Sequence, residues 1–297
     1  MSHTTIVTTD KVDEQKSPNL SQTVSHGISV IQAFCQGTSV LSGIPVFTEI
    51  DKKRRWILEH MAGAFRIFAR KGFSEGLAGH ISVRDPEFPN AFWTNPIGRH
   101  FGLMKVSDMV LLNERGEPIG GNTKYPANAA GFQIHGQIHA AYPRINAACH
   151  AHSINGRAWS SFGRPLEMLN QDVCNFFGDA LRVYNECAGV VLDPREGARI
   201  AASLGPKGKG LILRNHGLLT VGQTVDEAAY LFTLLEASCE AQLKTEAAAA
   251  NGLQKIILDD ETAAFTFQMT SDPESHYCEF QPDYEYELEA TGGTFLH

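Results

Sequence analysis

The sequence lacks several features that would assign it to a common class of protein. It has no apolar run as long as a membrane span, so we do not expect an integral membrane protein. Its six cysteines are scattered, without CxxC spacing, and no secretory signal precedes them. We therefore expect reduced thiols and a cytoplasmic location rather than a disulfide framework.

A dense stripe of Lys and Arg is also missing, and the formal net charge is −8. The nearest basic cluster, residues 52–55, falls inside a helix-like pattern and is predicted to be a solvated helix face. A nucleic-acid-binding protein needs a basic surface to neutralise phosphates. We therefore expect a small-molecule partner and neither nucleic acid nor membrane.

What is present is typical of an ordinary globular chain, with 297 residues, 43% of them hydrophobic and 20% charged. Helix and strand patterns interleave, which predicts an α/β fold. We divide the chain into an extension (1–45), with about the first 20 residues disordered, a main domain (46–252) and an aromatic, acidic tail (253–297). We expect the tail to pack on a neighbouring subunit.

The local pattern predicts most elements of the second half of the main domain. Strands are predicted over 145–152, 189–192 and 210–214, and helices over 126–142, 195–204 and 225–250. The first of these strands ends in Cys149-His150-Ala151-His152, and the third is followed by Arg214-Asn215-His216-Gly217.

His150 and His152 lie two residues apart on a strand, so their side chains point to the same side of the sheet. His216, arriving from another strand end, could complete a cup of three nitrogens. Such a cup leaves one coordination position open, as catalytic zinc sites do. The alternative, which the pattern leaves open, is that these are merely polar residues at strand ends.

Other histidines are candidates for proton transfer. His135 and His139 share one face of the predicted helix, where they could be ligands, partners of the strand histidines or satisfied core residues; we favour a non-ligand role. The glutamate of the metalloprotease pair is absent, because Gly136 stands there. His80 and His100 are further candidates, since histidine titrates near neutral pH.

Four motifs in order resemble the class II aldolase/adducin family, over roughly residues 48–246. They are Ala78-Gly79-His80-Ile81-Ser82-Val83-Arg84, Asn128-Ala129-Ala130-Gly131-Phe132-Gln133-Ile134-His135, His150-Ala151-His152-Ser153 and Asn215-His216-Gly217-Leu218-Leu219-Thr220-Val221-Gly222. The resemblance implies a three-layer α/β/α sandwich with a central mixed, mainly antiparallel sheet. It also implies a homotetramer that binds zinc, or a similar divalent ion, through His150, His152 and His216.

The sequence departs from the family's sugar-phosphate aldolases at two places. Their Ser-Ser-Glu run, which holds the substrate phosphate and moves a proton, reads Ala129, Ala130 and Gly131 here. The asparagine of their phosphate loop is His80. We therefore do not expect a sugar-phosphate aldolase. Adducin lacks the three metal histidines, whereas this chain retains them, which argues against a purely structural domain.

The resulting expectation is a metal-dependent lyase that cleaves a C–C bond, by an aldol-type step or decarboxylation, in a non-phosphorylated hydroxy, keto or aromatic acid. Zinc is the first choice of metal, with manganese or iron as alternatives. A non-haem iron oxygenase and a non-catalytic adducin-like module remain open. The proton-transfer candidates are His80, His135, His139 and Tyr125. The substrate-binding candidates are Arg84, Trp93, Asp172, Arg214 and, from a neighbouring subunit, Tyr284.

Overall fold

The computed structural model of the chain describes residues 30–186 and 189–297. Eight strands form one sheet in the order β4-β3-β2-β1-β5-β8-β7-β6. Every neighbouring pair is antiparallel except β6 and β7, which run parallel. The expected mixed, mainly antiparallel sheet is therefore confirmed. The strands are β1 (His80–Arg84), β2 (Phe92–Thr94), β3 (Val110–Leu112), β4 (Pro118–Gly121), β5 (Ala147–Ala151), β6 (Leu181–Tyr184), β7 (Gly210–Leu213) and β8 (Gly217–Gly222).

Seven α-helices lie in the described part of the chain, and side-chain caps begin most of them. Asn128, Asp193 and Thr224 each accept a hydrogen bond from a backbone N–H of the first helical turn. The helices are α1 (Ile50–Arg70), α2 (Ala129–Ala141), α3 (Ile154–Ser160), α4 (Pro194–Leu204), α5 (Val225–Ala250), α6 (Asp260–Thr270) and α7 (Pro273–Thr291).

The layers follow from the alternation of side chains along the central strands. On β5, Ala147 and Cys149 point into a large core shared with α1 and α5, whereas Ala148 points into a second core shared with α2 and α4. The sheet thus has helices on both faces, which confirms the expected α/β/α sandwich. His150 faces the same side as Ala148, so the metal-ligand candidates open toward the layer of α2.

One predicted strand is wrong. Residues 189 and 190 form a bend, and Val190 and Leu192 are exposed. The apolar run was mistaken for a buried strand because short apolar runs also occur in loops that rim a cleft. The parallel edge strand is instead β6, which begins eight residues earlier and has Leu181 and Tyr184 buried and Arg182 exposed, as suits a half-covered edge.

The C-terminal tail folds onto its own chain. Helix α7 packs against α1 and α5, and Tyr284 stacks on His60 with ring centroids 4.2 Å apart. At the other end, a short 3₁₀ helix at Val30–Phe34 places Ile31 in a small core with Tyr277 and Cys278. The predicted disorder of about the first 20 residues falls outside the described part of the chain.

Two surface expectations can be compared with the structure. None of the described helices combines the length and apolar character needed to cross a membrane. The basic cluster at 52–55 lies on α1, where Lys52, Arg54 and Arg55 each pair with a carboxylate. These charges are largely compensated by the protein itself.

Candidate metal centre

His150, His152 and His216 form a compact cluster of donor nitrogens. Their ligand atoms lie within 4.8 Å of one another, and the described residues contain no other group of three or more His, Cys, Asp or Glu side chains placed to hold a metal ion. The Nε2 atoms of His152 and His216 are 3.2 Å apart. Two nitrogens bound to one tetrahedral zinc at about 2.0–2.1 Å would be about 3.3–3.4 Å apart. The cluster therefore has the dimensions of a three-histidine metal site.

A backbone carbonyl fixes the tautomer of His150. Its Nδ1 lies 2.7 Å from the carbonyl oxygen of Leu218 on the adjacent strand β8. A carbonyl only accepts, so Nδ1 carries the proton and Nε2 is left bare. Metal-binding histidines are commonly oriented by such a second hydrogen bond.

The positions of His152 and His216 depend on the turns that follow the two strands. Asn215 has φ 59°, the only positive φ among described residues other than glycine, and this turn sends the chain from β7 directly back into β8. After His152, the carboxylate of Glu236 accepts hydrogen bonds from the hydroxyl of Ser153 and the backbone N–H groups of Asn155 and Gly156. Glu236 thereby caps α3 and holds the end of β5 in place.

Burial keeps the three imidazoles neutral, as a metal ligand must be. It lowers the pKa of His150 well below the usual value, with the other histidines adding to the effect. It lowers the pKa of His216 to about 4, and that of His152 to a smaller extent. Neutral, bare nitrogens in this spacing suit a divalent cation such as zinc, manganese or iron.

The histidines open into a cleft of about 310 Å³ between the sheet and α2. Apart from the histidines and two asparagines, its walls are aliphatic residues and glycines, and no Lys or Arg side chain is among the described residues that line it. An ion held by the histidines would therefore face an apolar chamber. The lining residues are Ala78, Gly79, His80, Asn128, Ala130, Gly131, Ile134, His150, His152, Gly189, Val190, Val191, Asn215 and His216.

His80 lies beside the metal ligands. It pairs with His150 across β1 and β5, and the two ring centroids are 5.0 Å apart. Its ring occupies the space in front of Gly131, where an added Cβ would come within 2.5 Å of Cδ2 of His80. Burial lowers the pKa of His80 well below its usual value. Of the proton-transfer candidates, His80 is the one that lines the cleft.

His135 and His139 lie behind His80, between β1 and α2, and do not line the cleft. Both are buried, and Ser82 bridges them through hydrogen bonds of 2.8 Å to Nδ1 of His135 and 2.7 Å to Nε2 of His139. Neither belongs to the cluster of donor nitrogens, which supports the non-ligand interpretation. These hydrogen bonds are typical of residues that hold neighbouring side chains in place.

Two of the predicted substrate-binding residues have other partners. Trp93 is buried and donates from Nε1 to Asp85, 2.7 Å away. Arg84 donates from Nη2 to the carbonyl oxygens of His139 and Ile145, and its guanidinium stacks on Phe92. Both lie toward the opposite end of β1 from His80, because Arg84 is the last residue of that strand and Trp93 pairs with Val83.

Three other candidates do not line the cleft. Tyr125 is exposed in the loop before α2. Asp172 is exposed and lies near Glu279, whose carboxyl pKa is raised by burial and further by Asp172. Tyr284 is buried in its own chain against His60 and Gly63, so in this arrangement it is not available to a neighbouring subunit's site.

Arg214 remains next to the site. It lines a small cavity together with His216, Tyr184 and the buried Glu196. Its Nε is buried without a hydrogen-bond partner. Arg214 thus lies beside His216 at the end of β7, although it does not line the main cleft.

Sequence reasoning missed Ser82, Glu236 and Asn215 as parts of the site. The asparagine before His216-Gly217 could have predicted a tight turn, since asparagine adopts positive φ more readily than most residues. Nothing near Glu236 in the sequence indicates that it reaches the end of a strand some 80 residues away. Such a contact exists only once α5 packs against the sheet.

The chain is similar to proteins of one family. Residues 59–243 match the model of the Class II Aldolase and Adducin N-terminal domain. The chain is 43% identical over 253 residues to the Meiotically up-regulated gene 14 protein of Schizosaccharomyces pombe, covering 85% of this chain and 97% of the relative. It is 41% identical to Decarboxylase NovR of Streptomyces niveus, covering 69% and 75% respectively.

Two further matches have informative names. The chain is 39% identical to 4-hydroxy-3-prenylphenylpyruvate oxygenase/4-hydroxy-3-prenylbenzoate synthase of Streptomyces roseochromogenus, covering 82% of this chain and 86% of the relative. The solved structure of L-fuculose 1-phosphate aldolase from Glaciozyma antarctica superposes with a TM-score of 0.78 at 40% identity, covering 85% and 96%. With its sheet, its histidine cluster and this family match, the chain belongs to the class II aldolase/adducin family.

Proposed function

We propose that the chain is a divalent-metal-dependent lyase that cleaves a C–C bond, by an aldol-type step or decarboxylation, in a non-phosphorylated hydroxy, keto or aromatic acid. The observation that carries this proposal is the three-histidine cluster opening into a cleft walled by Ala130, Ile134, Val190 and Val191. The 41% identity to a protein named a decarboxylase supports it.

In this proposal His150, His152 and His216 hold the ion, which when bound supplies Lewis-acid stabilisation of negative charge on a substrate oxygen. The aliphatic walls exclude water from the reacting carbon. His80 moves the proton, because its ring reaches the cleft and the usual glutamate position is Gly131. His135, His139 and Tyr125 are assigned no contact with substrate.

Among lyase reactions, the main alternative is cleavage of a sugar phosphate, since a 40% identical structure is named L-fuculose 1-phosphate aldolase. The cleft argues against it, because a phosphate is normally held by Arg, Lys, hydroxyl groups or helix N-termini. Ala129 and Ala130 supply no hydroxyl where those aldolases have serines. Turnover of L-fuculose 1-phosphate would contradict the non-phosphorylated substrate class.

An oxygenase is a second candidate, favoured by the 39% identical relative whose name includes an oxygenase activity. Three histidines with open positions can hold Fe(II), although two histidines and a carboxylate are the commoner set. Dioxygen consumption that requires both Fe(II) and substrate would favour this candidate over the lyase. A lyase releases CO₂ or an aldehyde from the same substrate without oxygen.

The experiment combines metal analysis with an anaerobic and an aerobic assay. The protein is purified without added metal or chelator and incubated with 4-hydroxy-2-oxo-4-phenylbutanoate, an aromatic hydroxy keto acid whose aldol-type cleavage gives benzaldehyde and pyruvate. We expect a bound divalent ion and anaerobic product release, both lost in His150→Ala. His100→Gln, which changes an exposed histidine outside the cleft, is the matched control. A metal-free protein would favour the non-catalytic, adducin-like alternative.

The proposal includes a homotetramer in the cytoplasm. Cys149, Cys174, Cys239 and Cys278 are buried free thiols, which agrees with a reducing compartment. Light scattering on the purified protein measures the assembly directly.

A further inference from the structure

A directional chain of hydrogen bonds runs behind the metal cleft, from the carbonyl of Ile145 to His135. Nδ1 of His139 lies 3.2 Å from that carbonyl oxygen, which Arg84 also holds through a 3.0 Å hydrogen bond. Since a carbonyl only accepts, His139 carries its proton on Nδ1. Burial lowers the pKa of His139 to about 3, so its Nε2 is bare at neutral pH.

The directions of the hydrogen bonds made by Ser82 and His135 then follow. The bare Nε2 of His139 must accept the hydroxyl proton of Ser82, 2.7 Å away. The Ser82 oxygen is therefore free to accept, and it lies 2.8 Å from Nδ1 of His135. His135 donates from Nδ1. Burial lowers its pKa well below the usual value, so its Nε2 is left as a bare acceptor.

That acceptor has no hydrogen-bond partner, and neither has a nitrogen of the neighbouring ring. Nε2 of His135 and Nδ1 of His80 are both buried and unpartnered, and the two ring centroids lie 4.2 Å apart. A buried polar group left unpaired destabilises the structure. If the two rings turn slightly toward each other, Nδ1 of His80 can donate a proton to the bare Nε2 of His135. Both nitrogens then have a hydrogen-bond partner.

We propose that His135 is a positioning residue that holds His80 in the tautomer protonated at Nδ1, and that Ser82, His139 and Arg84 fix His135 in the accepting state. Nε2 of His80 is then bare, and an added Cβ at Gly131 would lie 2.9 Å from it, which places it on the side of α2 that borders the cleft. The inference rests on the proposed role of His80 in proton transfer. It explains why two buried histidines stand behind a site to which they contribute no ligand.

Ser82→Ala tests the proposal, because it removes one hydroxyl from the middle of the chain. We expect kcat with 4-hydroxy-2-oxo-4-phenylbutanoate to fall by roughly 10-fold, with KM and metal content unchanged. Thr94→Val is the matched control: Thr94 and Ser82 line one small cavity behind the cleft, but the buried hydroxyl of Thr94 donates to the carbonyl of Ile81 and takes no part in the hydrogen-bond chain. The control loses a buried hydroxyl of the same kind and should keep its kcat.

Nitrogen NMR of protein labelled on histidine supplies a readout that needs no substrate. In the zinc-loaded protein we expect His80, assigned with His80→Gln, to be protonated at Nδ1. In Ser82→Ala its two nitrogen signals should move toward each other as the tautomers mix. If Ser82→Ala does not fold, His139→Phe, which keeps a ring stacked on Phe92, breaks the same chain.

The outcomes separate this inference from the proposed function. Protonation of His80 at Nε2 in the unchanged protein, or an unchanged tautomer in both Ser82→Ala and His139→Phe, would overturn the inference whatever the activity. The expected tautomer shifts without any lyase turnover would support the hydrogen-bond chain and leave the reaction to be reassigned.

Discussion

The ring of His80 occupies the space that a side chain at Gly131 would need. An ideal Cβ built on Gly131 lies 2.5 Å from Cδ2 and 2.9 Å from Nε2 of His80. In the aldolase pattern that this chain resembles, the first position carries asparagine and the second glutamate. Only one of the two positions can carry a large side chain in this geometry. The residues at positions 80 and 131 are therefore coupled. Relative to the aldolase pattern, the larger side chain stands on β1 and not on α2.

We expect Gly131→Ala to displace His80 and to reduce turnover by at least about 10-fold, with metal content unchanged. The added Cβ cannot be accommodated while the ring stays in place. In a His80→Asn background the same substitution should cost little more, so the two effects are not additive. Gly136→Ala, on the same helix, meets only the ring of Phe132 at 3.1 Å and serves as the control. Additive losses in the double variant would contradict the coupling.

Removal of the metal should lower the thermal stability. An ion that binds only the folded state at 100 times its Kd adds about 2.7 kcal/mol. We expect dialysis against a chelator to lower Tm, and added zinc to restore it. His216→Ala should show a Tm that no longer responds to either treatment. A chelator effect of equal size in His216→Ala would place the stabilising ion elsewhere.

Asp85 anchors the strand pair that carries His80. Its buried carboxylate accepts from Nε of Arg54 at 2.8 Å and from Nε1 of Trp93 at 2.7 Å. Because hydrogen bonds to a charged group contribute about 1.5–3 kcal/mol each, and Asn removes the charge that Arg54 and Trp93 share, Asp85→Asn should lower the free energy of unfolding by on the order of 3 kcal/mol. Asp51 pairs with the same arginine, but its side chain is 95% exposed. Asp51→Asn is the control, with an expected effect below about 1 kcal/mol in urea unfolding.

Tyr284 provides a direct test of where the C-terminal tail acts. Its ring stacks on His60, and no hydrogen bond of its hydroxyl is seen within the described structure. Tyr284→Phe should therefore change neither stability nor turnover appreciably, whereas Tyr284→Ala should cost about 3–5 kcal/mol through the cavity it leaves. A loss of kcat in Tyr284→Phe at unchanged Tm would restore Tyr284 as a residue of a neighbouring site.

Acidification should destabilise the fold through His139. Burial, with Arg84 nearby, lowers its pKa from 6.5 to about 3. A lowered pKa means that the folded state prefers the neutral ring, so this stability is present above pH 6.5 and is lost as the pH falls toward 3. Between pH 7.5 and 5.0 the loss from this group is about 2 kcal/mol. Urea unfolding at the two values should show a smaller loss in His139→Phe; an equal loss would contradict the assignment.

The sequence predicted the parts of the site that depend on local order. His150 and His152 share a face because strand side chains alternate, and the helix over 225–250 was predicted with the bounds it has. The strand over 189–192 was wrong, because an apolar loop at the rim of a cleft has the composition of a buried strand. The two tail helices were missed, since their aromatic residues show no clear helical period.

The sequence by itself determined the family motifs, the three histidines and the absence of a glutamate at 131. Only the tertiary structure decided which ring occupies the space beside Gly131, which histidines meet the cleft and which stand behind it. His80, His135 and His139 look alike in the sequence, because each is a histidine next to an isoleucine. Their roles differ because β1 and α2 pack face to face, and that packing gives each ring different partners. Burial and hydrogen-bond direction, which depend on contacts distant in sequence, then set which nitrogen of each ring carries the proton.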